Sequence, residues 1–306
     1  MRNELLIAGL LLCATTAVAE EPQLEYRSVA IFNQHLYLGT FSRPRGIAYD
    51  RKHAEVWVAD TGNQAVSVHR PDGAELYSFG SKQSLRDPVR IAIAPNGGVA
   101  VIEGDRSQIR LFNYRGIYKG DVALTDIPGK PLIGAVTYDG DGKLYVADNR
   151  SGQIFIYDPD GRKRAQFGSH GTDEGQFMSV CAIAVASDGT IYVADQQTIA
   201  VQVFDSQGNF IRGWGRHEMG AANFSLPSGI AVDSQGRVIV TDELRHQVKI
   251  FSSTGTLLHQ FGGLGEGHGQ LSFPSDVTLD DKDRIYVVER GNARVQVFEI
   301  TTSGAR

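Results

Sequence analysis

The sequence predicts an all-β fold, a ring of six four-stranded antiparallel blades, as in a six-bladed β-propeller. A strand that ends in an acid recurs six times at intervals of 43 to 47 residues, and a period of that size is typical of propellers and solenoids. Turn residues recur in register with it, and no helical periodicity follows residue 19. The acids that close the six strands are Asp60, Glu103, Asp148, Asp195, Asp242 and Glu289.

Each repeat predicts the same four strands in the same order. An apolar first strand, such as Gly229–Asp233, leads through a glycine turn into the strand that ends in the acid. A third strand begins six residues after the acid and alternates between polar and apolar residues. A fourth strand ends in Phe-Gly or Trp-Gly in four repeats, at Phe79, Phe167, Trp214 and Phe261. Four short strands per repeat describe a propeller blade.

The two ends of the chain predict how the ring closes. The sixth repeat has only three strands and is followed by a polar tail, residues 301–306. Residues 20–40 precede the first repeat and hold one β-prone segment, Tyr26–Leu38. We predict that this segment pairs with Val295–Ile300, because pairing would cover an otherwise exposed sheet edge. The propeller itself would span residues 41–300.

Residues 1–19 predict a cleaved signal peptide. Arg2 precedes an apolar run, Leu5–Leu12, and the small-x-small sequence Ala17–Ala19. We therefore expect a periplasmic or secreted protein. No comparable apolar run follows, so no transmembrane segment is expected.

Only Cys181 would remain after cleavage, which excludes an internal disulfide. Its apolar neighbours predict a buried thiol rather than a reactive one.

The charge of the chain argues against nucleic acid as a partner. The formal net charge is −5, and charges of both signs are mixed along the sequence. A nucleic-acid-binding protein would be expected to carry a basic patch or stripe.

The six acids allow two interpretations. As a ring around the axis they could hold a cation such as calcium. Alternatively, each carboxylate accepts backbone N–H bonds in the turn that follows it, a contribution of about 0.5–1.5 kcal/mol each. Their unshifted register in every repeat favours the second interpretation. We predict structural turn acids, with no metal and no other cofactor, although calcium or zinc in the channel stays open at this point.

The repeats resemble the NHL repeat, with the pattern Pro-x-Gly-Ile-Ala-x-Asp followed by a Val-Ala-Asp strand. The resemblance implies a six-bladed β-propeller. In one branch of that family, the peptidyl-hydroxyglycine amidating lyases, histidines follow the prolines that open blades. The corresponding positions here are Arg45, Val89, Gly134, Cys181, Ser228 and Ser275. The resemblance therefore does not imply a zinc site, and His69 falls in a column of aromatic packing residues.

Positions that depart from the repeat are the candidates for function. The acid-bearing turns and the connections between blades share one face of the ring, here called the upper face. Charged or polar departures on it are Arg45, Arg90, Arg106, Glu243, Arg245, His246, Asp276 and Arg290. We hypothesise that they bind another exported or envelope protein, or a glycan, without a chemical step. The alternatives are ordinary solvated surface and an enzyme using the channel, either a metal-dependent lyase or a hydrolase. No catalytic residue is predicted.

Overall fold

Six four-stranded antiparallel sheets follow one another along the chain and form the blades of a β-propeller. The structure is a computed structural model that describes residues 24–80, 85–217 and 219–302. It confirms the predicted fold class and number of blades. The predicted signal peptide and the end of the polar tail lie outside the described residues, and no helix within those ranges is long and apolar enough to cross a membrane.

The strands follow the repeats closely. The chain begins with β1 (Leu24–Phe32) and a small hairpin, β2 (Gln34–His35) and β3 (Gly39–Thr40). Blade 1 consists of β4 (Pro44–Asp50), β5 (Glu55–Asp60), β6 (Ala65–His69) and β7 (Glu75–Phe79). Blade 2 consists of β8 (Arg90–Ile93), β9 (Val99–Ile102), β10 (Ile109–Phe112) and β11 (Tyr118–Asp121). Blade 3 consists of β12 (Ile133–Tyr138), β13 (Leu144–Asp148), β14 (Gln153–Tyr157) and β15 (Lys163–Phe167).

The second half of the ring repeats this order. A parallel pair, β16 (Ser169–His170) and β17 (Gln176–Phe177), lies in the connection to blade 4. Blade 4 consists of β18 (Val180–Val185), β19 (Ile191–Asp195), β20 (Val201–Phe204) and β21 (Phe210–Trp214). Blade 5 consists of β22 (Pro227–Val232), β23 (Val238–Asp242), β24 (Gln247–Phe251) and β25 (Leu257–Gly262). Blade 6 consists of β26 (Pro274–Leu279), β27 (Ile285–Glu289), β28 (Arg294–Thr302) and, from the other end of the chain, β1.

The core lies between neighbouring blades, which pack through aromatic rings. The ring that ends a fourth strand meets the ring on the third strand of the next blade, as in Phe79 with Phe112 at 5.2 Å and Phe167 with Phe204 at 4.9 Å between centroids. A glycine in the next blade leaves room for this contact. A Cβ on Gly116 would lie 2.5 Å from the Phe79 ring. The Phe-Gly pattern is thus an inter-blade packing device.

Strand β1 closes the ring, as predicted. It pairs antiparallel with β28, with Tyr26 opposite Ile300 and Phe32 opposite Val295. Phe32 packs against Gly73 of blade 1 in the same way that Phe79 packs against Gly116 of blade 2. A Cβ on Gly73 would lie 2.7 Å from the Phe32 side chain. The strand ends at Phe32 rather than Leu38, since residues 34–40 turn back as the β2–β3 hairpin.

Replacing Phe32 by alanine is expected to destabilise the closed ring. The side chain is buried, and removing a buried phenylalanine costs about 3–5 kcal/mol. Tyr37→Ala is the matched control, because Tyr37 is 90% exposed and its replacement should change stability by less than about 0.5 kcal/mol. Urea unfolding of the two variants measures both values. Equal stabilities would contradict closure through β1.

One buried cation departs from the pattern of its neighbours. Gln202 in blade 4 and Gln296 in blade 6 accept an N–H from the preceding connection, at 2.8 Å from Gly175 and 2.7 Å from Gly269. Lys249 holds the same position in blade 5, with a side chain 0% exposed and its Nζ 3.6 Å from Asp242. Burial lowers the pKa of Lys249 to about 8.

The stability of the protein relative to a Lys249→Gln variant should rise between pH 8 and pH 10. The folded lysine releases its proton near pH 8, whereas the unfolded lysine keeps it to about pH 10.5. The unfolded state then binds more protons over this interval, so the free energy of unfolding increases with pH. Urea unfolding at several pH values tests this. Parallel pH profiles for the two proteins would be inconsistent with it.

Candidate functional site

The six acids hold each blade to the connection that enters it. Every one accepts an N–H, at 2.7–3.0 Å, from a residue one to four positions before the first strand of its own blade. An N–H one or two residues after the acid donates back to a carbonyl of that connection, as from Gly62 to Ser42 and from Gln196 to Ser179. The two bonds form a reciprocal clamp.

This partner is additional to the one predicted from the sequence. Backbone N–H bonds to the following turn occur at Asp148, Asp195 and Asp242, but the bond common to all six goes to the entering connection. The reason is that the second strand ends at the level where the connection arrives, so its last side chain reaches that backbone. No three of the acids bring donor atoms within 4.8 Å of one another in the described part of the chain.

The first strands line the axis of the ring and carry a β-bulge near their start in five blades. The bulge lies at Arg45, Gly134, Cys181, Ser228 and Ser275. A bulge re-aims the side chain it carries. Three of these residues donate to a carbonyl of the next blade: Cys181 to Pro227 at 3.2 Å, Ser228 to Pro274 at 2.7 Å and Ser275 to Arg45 at 2.9 Å.

Cys181 is buried, as predicted from its neighbours. Desolvation raises the pKa of its thiol to about 12. A protonated thiol that bridges two blades is a poor nucleophile.

Arg90 crosses the channel and partitions it. Its guanidinium donates to the carbonyls of Arg45 in blade 1, Ser275 in blade 6 and Ser228 in blade 5, at 3.3, 3.2 and 2.9 Å. These carbonyls lie at the free inner edges of the first strands, where no neighbouring strand can pair with them. Asp276 lies 3.6 Å from the same guanidinium. The pair therefore acts as an internal partition of the channel.

Glycines make room for the partition. Gly46 holds in blade 1 the position that Arg90 holds in blade 2, and a Cβ on Gly46 would lie 2.9 Å from the Arg90 Cα. Gly229 precedes Asp276, and a Cβ there would lie 2.7 Å from the Asp276 carboxylate. The same position is Ala135 in blade 3 and Ala182 in blade 4.

Above the partition lies a group of charges that we call the upper mouth: Arg45, Arg106, Glu243 and Arg290. Arg290 pairs with Glu243 at 2.5 Å. Burial and the charge of Arg290 lower the pKa of Arg45, and burial and the charges of Arg90 and Arg45 lower the pKa of Arg106. Within the described residues, neither Arg45 nor Arg106 has a carboxylate within 4.0 Å. The upper mouth is therefore positively charged.

Arg245 and His246 have a different local role. The Arg245 guanidinium donates to Ser225 at 3.0 Å and Gly220 at 2.6 Å, both in the connection that enters blade 5. Nδ1 of His246 accepts the N–H of Phe273 at 3.0 Å, and its ring packs on that phenylalanine. These predicted binding residues hold inter-blade connections in place.

Below the partition, the channel widens into a chamber that the sequence analysis did not identify. A cavity of about 1030 Å³ opens at the face opposite the upper mouth. Its walls carry an isoleucine or valine from every first strand: Ile47, Ile91, Val136, Ile183, Ile230 and Val277. Tyr49, Tyr138 and several aspartates form its rim. The sequence does have an apolar residue at this position in all six repeats, but the same pattern is expected of ordinary core packing.

Replacing Arg90 by alanine is expected to destabilise the protein by about 3–5 kcal/mol, because Asp276 would be left as a buried carboxylate without its partner. Burial already raises the pKa of Asp276. The double variant Arg90→Ala/Asp276→Ala should recover part of the loss, since blades 3 and 4 carry alanine at this position. Urea unfolding of the two single variants and the double variant measures the coupling. Additive losses would show that the pair is not coupled.

These features define a class: a six-bladed β-propeller whose axial channel is divided by a buried ion pair. The NHL repeat model matches residues 41–68, 224–251 and 271–298, which lie in blades 1, 5 and 6. The chain is therefore a six-bladed β-propeller that carries NHL repeats in these three blades.

Comparison with known proteins gives one curated relative and several similar structures. Protein brain tumor of Drosophila melanogaster is 32% identical over 137 residues, which are 42% of this chain and 13% of that protein. A streptogramin B lyase structure covers 91% of this chain and 97% of its own, with 12% identity and a TM-score of 0.64. A gluconolactonase from Xanthomonas campestris covers 92% and 96%, with 15% identity and a TM-score of 0.64. At such identities these structures show the fold alone.

Proposed function

We propose that the protein is a binding module whose upper mouth accepts an acidic group of another exported protein, without a chemical step. The observation that carries the proposal is the pair of partly buried guanidinium groups, Arg45 and Arg106, that have no ion pair within the described residues. A carboxylate fits the fork of an arginine with two hydrogen bonds. Burial lowers the pKa values of both groups and repulsion from neighbouring arginines lowers them further, and a bound carboxylate would relieve that repulsion.

Arg106 is available because its blade departs from the repeat. Three residues after the acid, Asn63, Ser151 and Asn292 each bond the acid of their own blade, at 2.7, 2.7 and 2.6 Å. Arg106 holds this position in blade 2, but Glu103 is bonded instead by Arg110 at 3.3 Å. The guanidinium of Arg106 therefore serves no clamp. Because Arg106 does not bond the acid of its own blade, its charge is a candidate for binding a ligand.

The local field favours an acidic ligand in spite of the negative net charge. Around the upper part of the channel, Arg45, Arg90, Arg106 and Arg290 lie close enough to repel one another. The acids that pair with them among the described residues are Glu243 and Asp276. Low-dielectric walls concentrate such a field at the opening. An acidic segment of a partner would be steered toward it.

Groups suited to acid–base or nucleophilic chemistry are engaged elsewhere. Glu243 and Asp276 are paired with arginines, and Cys181 is a buried donor with a raised pKa. Lyases and a gluconolactonase share the fold, but catalysis depends on the site and not on the fold. An exported partner depends on the signal peptide predicted for residues 1–19.

Charge reversal at Arg45 and Arg106 together should abolish capture of the partner. The purified protein is immobilised, captured envelope proteins are identified, and each is remade and titrated against the wild type and the Arg45→Glu/Arg106→Glu variant. The expected loss is at least about tenfold in affinity, because each ion pair removed would become a repulsion. Raising the salt concentration should also weaken binding by the wild type, because salt screens the ion pairs.

Lys119→Glu/Arg164→Glu is the matched control, since it reverses two exposed charges on the outer strands β11 and β15. It should bind like the wild type. Equal binding by both double variants would overturn the proposal, and so would capture of an acidic polysaccharide or RNA in place of a protein. Turnover of a lactone or peptide substrate that is lost in the Arg45→Glu/Arg106→Glu variant would favour the enzymatic alternative.

A further inference from the structure

At the turn between the first two strands, the blades follow a strict rule about charge. Blades 3, 5 and 6 place an aspartate at the end of the first strand and a lysine or arginine at the start of the second. The pairs are Asp139 with Lys143 at 3.3 Å, Asp233 with Arg237 at 2.5 Å and Asp280 with Arg284 at 2.6 Å. Blades 2 and 4 have neither charge, with Ala94 and Gly98 in one and Ala186 and Thr190 in the other. Acid and cation are present together or absent together.

Blade 1 is the exception. Asp50 keeps the acid, but Glu55 stands opposite it where the cation belongs. Two carboxylates in one register position repel each other unless a positive charge lies between them. Asp50 is 1% exposed, so solvent does little to screen it. The position of the missing cation is therefore a place where a positive charge would stabilise the fold.

A histidine completes a set of three donors. Nδ1 of His53 lies 2.6 Å from Asp50 Oδ2, and one ligand atom from each of Asp50, His53 and Glu55 lies within 4.8 Å of the others. Oε2 of Glu55 is buried and has no hydrogen bond of normal geometry among the described residues, with the Trp57 indole N–H as a neighbouring donor. The His53 ring is held in place by stacking on Tyr114 in blade 2, with centroids 5.0 Å apart. Three preoriented donors with one unsatisfied carboxylate oxygen match the first shell of a metal ion.

We infer that Asp50, His53 and Glu55 bind a divalent transition-metal ion such as zinc. One imidazole nitrogen and two carboxylate oxygens suit zinc, which takes three protein ligands and a water in tetrahedral geometry. Calcium prefers six to eight oxygen ligands, and three donors that include a nitrogen do not provide them. An imidazole nitrogen binds a metal only when it carries no proton, so zinc would take the place of the hydrogen between Nδ1 of His53 and Asp50 Oδ2. That hydrogen would pass to Nε2 of a neutral ring, or to solvent from a protonated one.

The location gives the ion access to the lower chamber. Asp50 lies at the rim of the 1030 Å³ cavity, and the His53 side chain is 28% exposed. The fourth position of the metal would thus be reachable by solvent or by a small ligand. This site is on the opposite face from the upper mouth and is independent of the binding function proposed there.

The test is zinc binding by isothermal titration, with zinc chloride as the only added ligand. The wild type should bind one equivalent. Glu55→Arg restores the Asp–Arg pair that blades 5 and 6 use, so it should fold and yet bind zinc at least about tenfold more weakly. His53→Ala should show the same loss. His217→Ala replaces an exposed histidine outside the site and should bind like the wild type.

A crystal soaked in zinc should show anomalous scattering at the site between Asp50 and Glu55. Circular dichroism of each variant checks that the β-sheet content is retained. Unchanged zinc affinity in Glu55→Arg would overturn the inference, because the ion would then be held elsewhere. Absence of binding by the wild type at millimolar zinc would also overturn it.

Discussion

The reciprocal bond between each acid and the entering connection is the constraint on which the ring depends. A buried carboxylate is tolerated only when its oxygens accept hydrogen bonds, and the connection between blades has backbone N–H groups that no strand can satisfy. Asp195, for example, accepts the N–H groups of both Met178 and Ser179 at 2.9 Å. The N–H groups thus satisfy the carboxylate, and the carboxylate satisfies the N–H groups. The bond fixes the point at which a new blade begins, and therefore where the bulge that follows directs its side chain.

Regularity of the clamp makes its exceptions chemically informative. Because every blade already has what it needs for folding, a polar residue that departs from its column must find partners elsewhere. Arg90 finds them in the carbonyls of three other blades, and Glu243 finds one in Arg290 of the next blade. The partition and the upper mouth are thus consequences of broken symmetry in an otherwise repeated scaffold.

The sequence was sufficient to predict the blades, their register and the closing strand, because period-2 alternation and turn glycines report local structure directly. It was not sufficient to predict the partners of the acids. Those lie 16 to 18 residues earlier in the chain, in connections whose sequences differ from blade to blade. Arg90 illustrates the same limit. Its exceptional charge was visible, but its position across the axis depends on three strands that are distant in sequence.

The chamber and the donor set in blade 1 were missed for different reasons. The apolar column that lines the chamber has the same pattern as a core column, since the inner strands face both their neighbours and the channel. Asp50, His53 and Glu55 lie within one short turn, and three such residues are common in exposed loops. Glu55 becomes informative only when blade 1 is compared with blades 3, 5 and 6, which have a lysine or arginine at the same position.

Closure by β1 has a consequence for the order in which the protein folds. Strand β1 leaves the ribosome about 270 residues before its partner β28, so the bond between the ends is the least local contact in the ring. Contacts of that kind carry the largest loop-closure entropy and form late. Five blades can assemble while the sixth still presents a free edge of β28. The seam between β1 and β28 is accordingly the place where the ring would be completed last during synthesis and opened first under mechanical load.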